Sequence, residues 1–362
     1  MTSLMGGIAD GIKRGLHSVF KENERKLHPL NYLFWECTQR CNLACLHCGS
    51  DCKADARVPD MPFDDFFNAV RPLADKYGGE RVTVVITGGE PLLRHDLAEC
   101  GRRLADAGFG WGIVTNGYAY DESRHRELLS AGMGAATVSL DGPEAMHNHF
   151  RGGRALCFAN AVRAIDLIAS SPQLNYDVVT CVHRQNLAAL PELRSFLIAH
   201  RVKAWRLFTI APIGRAAHND SLQLDGRELR QMMDFIAETR EEGKIDLKFS
   251  CEAYTGDYEL KVRDWFFFCR AGVNIASVLI DGSICACPNV DRSFAQGNIY
   301  TDDFLDVWEK RFQEMRDRSW MRNRGMCAGC KAWKRCEGGA MHLWTGERDG
   351  IMECLYSRMC NG

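Results

Sequence analysis

The sequence has no apolar run long enough to cross a bilayer, which takes about 20 consecutive apolar residues. It has no excess of charge: 45 Lys and Arg face 47 Asp and Glu, a formal net charge of −2. That gives no electrostatic case for a nucleic-acid partner, and no basic run is interleaved with aromatics. Met1 to Phe20 lacks a continuous apolar h-region, and Lys13 and Arg14 lie inside it, so no secretory signal is expected. Cysteine is not scarce. There are 17, an odd count that fits a disulfide framework poorly, and without an export signal a reducing cytoplasm is the expected location. At 362 residues and 46% hydrophobic content, the chain is long enough for one large domain plus a smaller one.

Several of those cysteines fall together. In YLFWECTQRCNLACLHCGSDC, from Tyr32 to Cys52, Cys41, Cys45 and Cys48 have the spacing CxxxCxxC on a loop directly after an apolar strand. Three thiolates so placed can each hold one iron of a cubane and leave the fourth iron open for chemistry. A zinc site needs a fourth ligand, which Cys37, Cys52 or His47 could supply, and a CxxC pair also serves redox dithiols.

With Thr87-Gly88-Gly89-Glu90-Pro91 after a second strand, CxxxCxxC resembles the radical S-adenosylmethionine (radical SAM) enzymes. The resemblance implies a 4Fe-4S cluster whose open iron is chelated by SAM. It further implies reductive cleavage to methionine and a 5'-deoxyadenosyl radical that takes hydrogen from the substrate. It assigns the SAM amino group to Gly88, Gly89 and Glu90, and it raises Ser139 and Asp141, in the segment Ser139-Leu140-Asp141-Gly142, as SAM-side ligands. An external electron donor of flavodoxin or ferredoxin type is implied. His47 departs from the pattern, because many relatives carry an aromatic ring there.

Strands and helices alternate along the chain. Tyr32 to Glu36, Arg81 to Thr87, Gly110 to Thr115, Ala135 to Leu140, Asn175 to Val182 and Ala204 to Ile210 read as buried strands. Helical patterns lie between them, as at Phe63 to Tyr77 and Asp121 to Ala131. Six βα units argue an α/β fold with a parallel sheet and a site at the C-terminal strand ends. The resemblance implies a partial (β/α)6 TIM-like radical SAM barrel over 31–250. Before it, 1–30 reads as an N-terminal amphipathic helical extension, with Ile8, Ile12, Leu16 and Phe20 recurring every fourth residue. The expectation is that this stripe packs over the closed end of the main domain, with surface contact as the alternative. Arg151 reads as an ordinary loop arginine, with a carboxylate contact as the alternative, and His183 and the Pro-Ile-Gly-Arg turn ending at Arg215 read as ordinary strand-end and turn residues.

From Cys251 the composition changes: nine cysteines fall within 251–362. Cys269, Gly282 and Cys287, then Cys327, Cys330 and Cys336 as CxxCxxxxxC, then Cys354, resemble the SPASM domain, a small cysteine-rich auxiliary-cluster extension of radical SAM enzymes. The resemblance places Cys327, Cys330, Cys336 and Cys354 on an outer auxiliary cluster; a structural zinc site is the alternative. For an inner cluster it leaves Cys251, Cys269 and Cys287, since the family's next cysteine is here Ala340. Cys285 is one candidate fourth ligand; an open iron, or loss of that cluster, are the others.

The expected function is modification of a peptide or protein by oxidation or crosslinking, with an auxiliary cluster as electron acceptor. The segments HPLNYLFWECTQRCNLACLHCGSDC and CEAYTGDYELKVRDWFFFCRAG resemble a radical SAM/SPASM subgroup associated with small lipoproteins, which points to a protein substrate. The alternative is small-molecule chemistry in cofactor, haem-derived or aminosugar biosynthesis. A non-catalytic electron-transfer protein would need no SAM site, and Gly88-Gly89-Glu90 weighs against it. Glu252, Tyr254 and Asp257, in the linker, are candidates for an acid or base, with an exposed turn as their ordinary role.

Overall fold

Runs of β-branched and aromatic residues flanked by Gly and polar turns become strands because alternate side chains can be buried on both faces of a covered sheet. In the computed structural model, which describes residues 2–250 and 252–361, these are β1 (Tyr32–Glu36), β2 (Thr83–Thr87), β3 (Gly110–Thr115), β4 (Ala135–Ser139), β5 (Asn175–Cys181), β6 (Ala204–Phe208) and β7 (Asp246–Phe249). They pair in sequence order, all parallel. The intervening helices cover the sheet, as a parallel crossover requires. The patterned helix at Phe63 to Tyr77 is two, Phe63–Val70 and Pro72–Tyr77, because Pro72 cannot donate within a continuous ladder. Gly226–Glu242 starts where Asp225 caps it, with Glu228 completing a capping box.

The sheet does not end at β1. The strand β8 (Ile275–Val278) adds parallel to β1's other edge, and β9 (Ser283–Cys285) and β10 (Gly297–Asn298) continue antiparallel, giving the order β10-β9-β8-β1-β2-β3-β4-β5-β6-β7. The cysteine-rich segment is therefore hydrogen-bonded into the barrel sheet through β8. Glu36, at the end of β1, accepts from the Ile280 N–H (2.9 Å) and faces Arg292 at 3.4 Å.

The N-terminal helix, α1 (Thr2–Leu27), differs from expectation in the face it buries. Ile12 and Leu16 are each 60% exposed, whereas His17 and Lys21 are buried. The helix lies on the C-terminal segment: His17 Nε2 meets the Phe267 carbonyl at 3.2 Å, Lys21 Nζ lies 2.9 Å from Glu337, and Arg25 pairs with the same carboxylate. Residues four apart drift about 40° per step around a 3.6-residue helix. The face His17-Lys21-Arg25 has charged and aromatic partners to meet; of the apolar stripe, Phe20 meets the Phe268 ring and the Arg270 guanidinium, while Ile12 and Leu16 stay exposed. The side chain of Ile8 lies outside the described residues.

Candidate functional site

The C-terminal strand ends converge on the loop after β1. Cys41 and Cys45 are buried together with Leu43, Cys52 and Cys157, and Cys48 packs against them. Two side chains from elsewhere in the chain, Asn116 just past β3 and Arg151 at the C-terminal end of the helix Glu144–Phe150, point N–H groups at these sulfurs: Asn116 Nδ2 lies 3.8 Å from Cys41 Sγ, and Arg151 Nη1 lies 3.7 Å from Cys45 Sγ. N–H donors aimed at thiolate sulfurs are a feature of iron-sulfur sites, where they set charge and potential. Cys52 is buried beside Cys48, and its S–H pulls the Cys48 thiol below the ordinary range. Among the described residues, no three His, Cys, Asp or Glu side chains are grouped to hold one metal ion. A cubane instead takes each thiolate on a different iron.

The glycines of Thr87-Gly88-Gly89-Glu90 serve a close approach of backbone to backbone. A Cβ on Gly89 would stand 2.2 Å from the Arg40 carbonyl oxygen, and one on Gly88, at φ +129°, would stand 2.2 Å from that of Thr38. Through this contact Gly89 N–H donates to Thr38 O (2.7 Å) and Glu90 N–H to Arg40 O (2.9 Å), fixing the segment that leads into Cys41. Glu90 is fully buried; its carboxylate accepts from Leu92 N–H, Thr115 Oγ1 and Asn116 N–H at 3.2, 2.8 and 2.8 Å. Burial raises it to about 7 against those donors.

At the end of β4, Ser139 and Asp141 are also buried. Asp141 accepts from Arg151 Nε (2.6 Å) and the Cys181 N–H (2.9 Å). Burial opposes its ionisation, but Arg151 and the nearby imidazoles hold it at about 2. Arg151 is therefore no loop arginine: it is 7% exposed, locked between a carboxylate and a cysteine sulfur. The carboxylate alternative is the one realised, with Asp141 as the partner; the contact to the Cys45 sulfur had no signal in the sequence. Arg215 was also missed by the sequence reading. Its Nε donates to Cys45 O (2.7 Å) and its Nη1 reaches Cys52 O (3.0 Å), while Gly214, at φ +55°, lets the turn lie against Cys48 and Gly49. His47 and His183 stack on opposite sides of Phe150, each ring centroid 4.3 Å from it. The Nδ1 of His47 and both ring nitrogens of His183 are buried without a partner.

The C-terminal cysteines fall into two groups. Cys327, Cys330, Cys336 and Cys354 come together: burial first, then the charges of the neighbouring thiols, push Cys327 up to about 11 and Cys336 to about 12. Cys269 is buried against the Arg318 guanidinium, which donates to Cys269 O and Gly339 O. Burial would raise its thiol, yet Arg318 brings it below the ordinary value. Ala340 is fully buried in the place of the missing cysteine, and Cys285 is buried at the end of β9. Cys251 lies outside the described residues. Of the linker candidates, only Asp257 sits in an exposed turn. Glu252 accepts from the Thr209 N–H and hydroxyl (2.7 and 2.8 Å), and burial lifts it to about 8; Tyr254 is 3% exposed.

A parallel α/β barrel with a three-cysteine loop at its mouth and a second, four-cysteine set beyond it defines an enzyme built around iron-sulfur clusters. Residues 35–197 match the radical SAM superfamily, and residues 269–331 match the SPASM iron-sulfur cluster-binding domain. This chain carries both domains and is a radical SAM enzyme, with iron-sulfur clusters and SAM as its cofactors. It is 29% identical over 328 residues to mycofactocin maturase MftC of Mycolicibacterium smegmatis, covering 88% of this chain and 80% of that protein. It is 24% identical over 344 residues to an AdoMet-dependent heme synthase of Nitratidesulfovibrio vulgaris, covering 89% and 91%. Its fold matches anSMEcpe with bound AdoMet (TM-score 0.70, 19% identity, 92% and 95% covered) and Streptococcus suis SuiB bound to precursor peptide SuiA (TM-score 0.69, 17%, 91% and 77%).

Proposed function

We propose that this radical SAM/SPASM enzyme modifies a side chain of a peptide or protein. The observation that carries the reading is a polar cleft of about 310 Å³ between the two cysteine regions. One wall is Gln39, Gly49 and Ser50 of the first cysteine loop; the other includes Asn289, Arg292 and Thr345 of the C-terminal segment. The cleft adjoins Cys48 on one side and Cys287 on the other in sequence, so a residue seated there lies between the two regions. It is at the lower end of ligand-site volumes and carries amide and hydroxyl groups suited to an extended chain. The Thr345 Oγ1 is buried without a partner.

In this reading 31–250 is the catalytic barrel and 251–362 the auxiliary-cluster domain. Cys41, Cys45 and Cys48 hold the first cluster, with Gly88, Gly89, Glu90, Ser139 and Asp141 on the SAM side. When bound, that cluster and SAM supply reductive cleavage and hydrogen abstraction. Asn116 and Arg151 donate to the ligand sulfurs, Asp141 orients Arg151, and Arg215 fixes the loop. Cys327, Cys330, Cys336 and Cys354 hold the outer auxiliary cluster, and Cys251, Cys269 and Cys287 supply an inner one. The reducing electron comes from a flavodoxin or ferredoxin type of donor in the cytoplasm. Among the described residues, no helix is long and apolar enough to cross a membrane.

The test is formation of 5'-deoxyadenosine by reconstituted enzyme with SAM and dithionite, in the presence of the host's peptide fraction and, separately, its tetrapyrrole fraction. Stimulation by peptides that is lost after protease treatment supports the proposal. Stimulation by tetrapyrrole alone overturns it in favour of a small-molecule reaction.

A further inference from the structure

A second cavity, of about 300 Å³, lies under α1 and shares no residue with the cleft beside Ser50. Its unspent charge is positive. Lys334 has no ion-pair partner among the described residues, Arg14 sits 4.9 Å over the Phe266 ring, and Arg335 donates to the neutral Tyr254 hydroxyl at 3.3 Å. The other charges there are already engaged. Lys21 is paired with Glu337, and Glu259 accepts from the Thr255 N–H and hydroxyl and from the Phe267 N–H.

His17 adds a requirement of different chemistry. Its Nε2 meets a carbonyl, Phe267 O, and must carry the proton, so the buried and unpartnered Nδ1 is an acceptor awaiting a donor. The Phe266 and Tyr254 rings offer apolar surface. A ligand satisfying all three features carries carboxylates, an N–H donor and apolar side chains, and an acidic polypeptide segment has each of them.

We propose that this cavity binds an acidic segment of the polypeptide substrate, remote from the residue that reacts. The inference rests on the peptide-modifying reading above. It gives the enzyme a second grip on its substrate, so that docking under α1 and chemistry in the cleft become linked events with a shared effective concentration.

The test uses the full, iron-reconstituted chain and a fluorescently labelled hexapeptide, Asp-Glu-Phe-Asp-Leu-Glu, followed by anisotropy. A Lys-for-acid version, inorganic phosphate and an acidic flavodoxin serve as competitors. The acidic peptide is expected to bind and the basic one not to. Arg14→Gln with Lys334→Gln should weaken binding about tenfold, in line with two charge contacts of this kind. The solvent-facing Ile12→Gln should leave binding unchanged, and iron content with peptide-independent SAM cleavage should stay at wild type in all variants. Equal binding by wild type and double variant overturns the proposal. So does complete displacement by phosphate at the peptide's own concentration, which marks a simple anion site, or binding of the flavodoxin with none of the peptide, which marks a carrier dock. Failure of the wild type to cleave SAM would instead sink the enzymatic reading and leave the binding result standing.

Discussion

Gly89→Ala puts one methyl group where the chain has no room for it. The added Cβ would meet the Arg40 carbonyl oxygen at 2.2 Å and its carbon at 2.6 Å, both backbone atoms that cannot rotate away. Restoring ordinary contact requires the Thr38–Arg40 segment to retreat by roughly 1 Å. That movement stretches the bonds from Gly89 N–H to Thr38 O and from Glu90 N–H to Arg40 O. Overpacking of this kind costs about 1–3 kcal/mol and each weakened hydrogen bond about 1 kcal/mol, so a loss of about 3–5 kcal/mol is expected. Because Arg40 directly precedes Cys41, the loop carrying Cys41, Cys45 and Cys48, the proposed cluster ligands, moves too. Denaturant unfolding of the apoprotein reads the stability term, and iron per chain after reconstitution reads the site. Gly11→Ala is the internal control: its Cβ meets nothing within 4 Å, and helix propensity should favour the variant by up to about 1 kcal/mol. If Gly89→Ala kept full iron and lost less than about 0.5 kcal/mol, the backbone-approach account of the motif would be wrong.

Other perturbations separate the remaining contacts. Cys327→Ser should lower bound iron by about four per chain after anaerobic reconstitution, whereas Cys100→Ser, buried in a helix facing the barrel core, should leave it unchanged. Glu337→Gln removes the partner of Lys21, which is only 5% exposed, and of Arg25; exchange of the amides between residues 17 and 27 should speed about tenfold or more as α1 loosens. Glu309 is held at about 2: partial burial works against ionisation, but Lys76, the Tyr77 hydroxyl and His28 outweigh it. Its folded value is depressed, so its contribution is complete above the ordinary carboxylate range and is lost as pH falls from about 4.5 towards 2. Stability measured over that window should therefore decline less steeply in Glu309→Gln than in wild type; equal slopes would refute the linkage.

Local pattern determined much of this protein. Alternating buried runs marked the strands of the parallel sheet, Asp225 marked a helix start, and the cysteine spacings marked the two groups of thiols that the fold gathers, because each of these signals is written within a few residues of chain. What tertiary structure decided depends on groups far apart in sequence. Arg151 is a loop residue until the fold brings Cys45, 106 positions away, to its guanidinium, and Arg215 clamps the same loop across 170 positions. Glu252 and Tyr254 are buried because the barrel end and the C-terminal segment close over them. The orientation of α1 was illegible for the same reason: its periodicity says which residues share a face, but only Glu337 and the Phe266–Phe268 rings decide which face finds a partner. Periodicity is a property of one segment, whereas burial is settled by what the rest of the chain places against it.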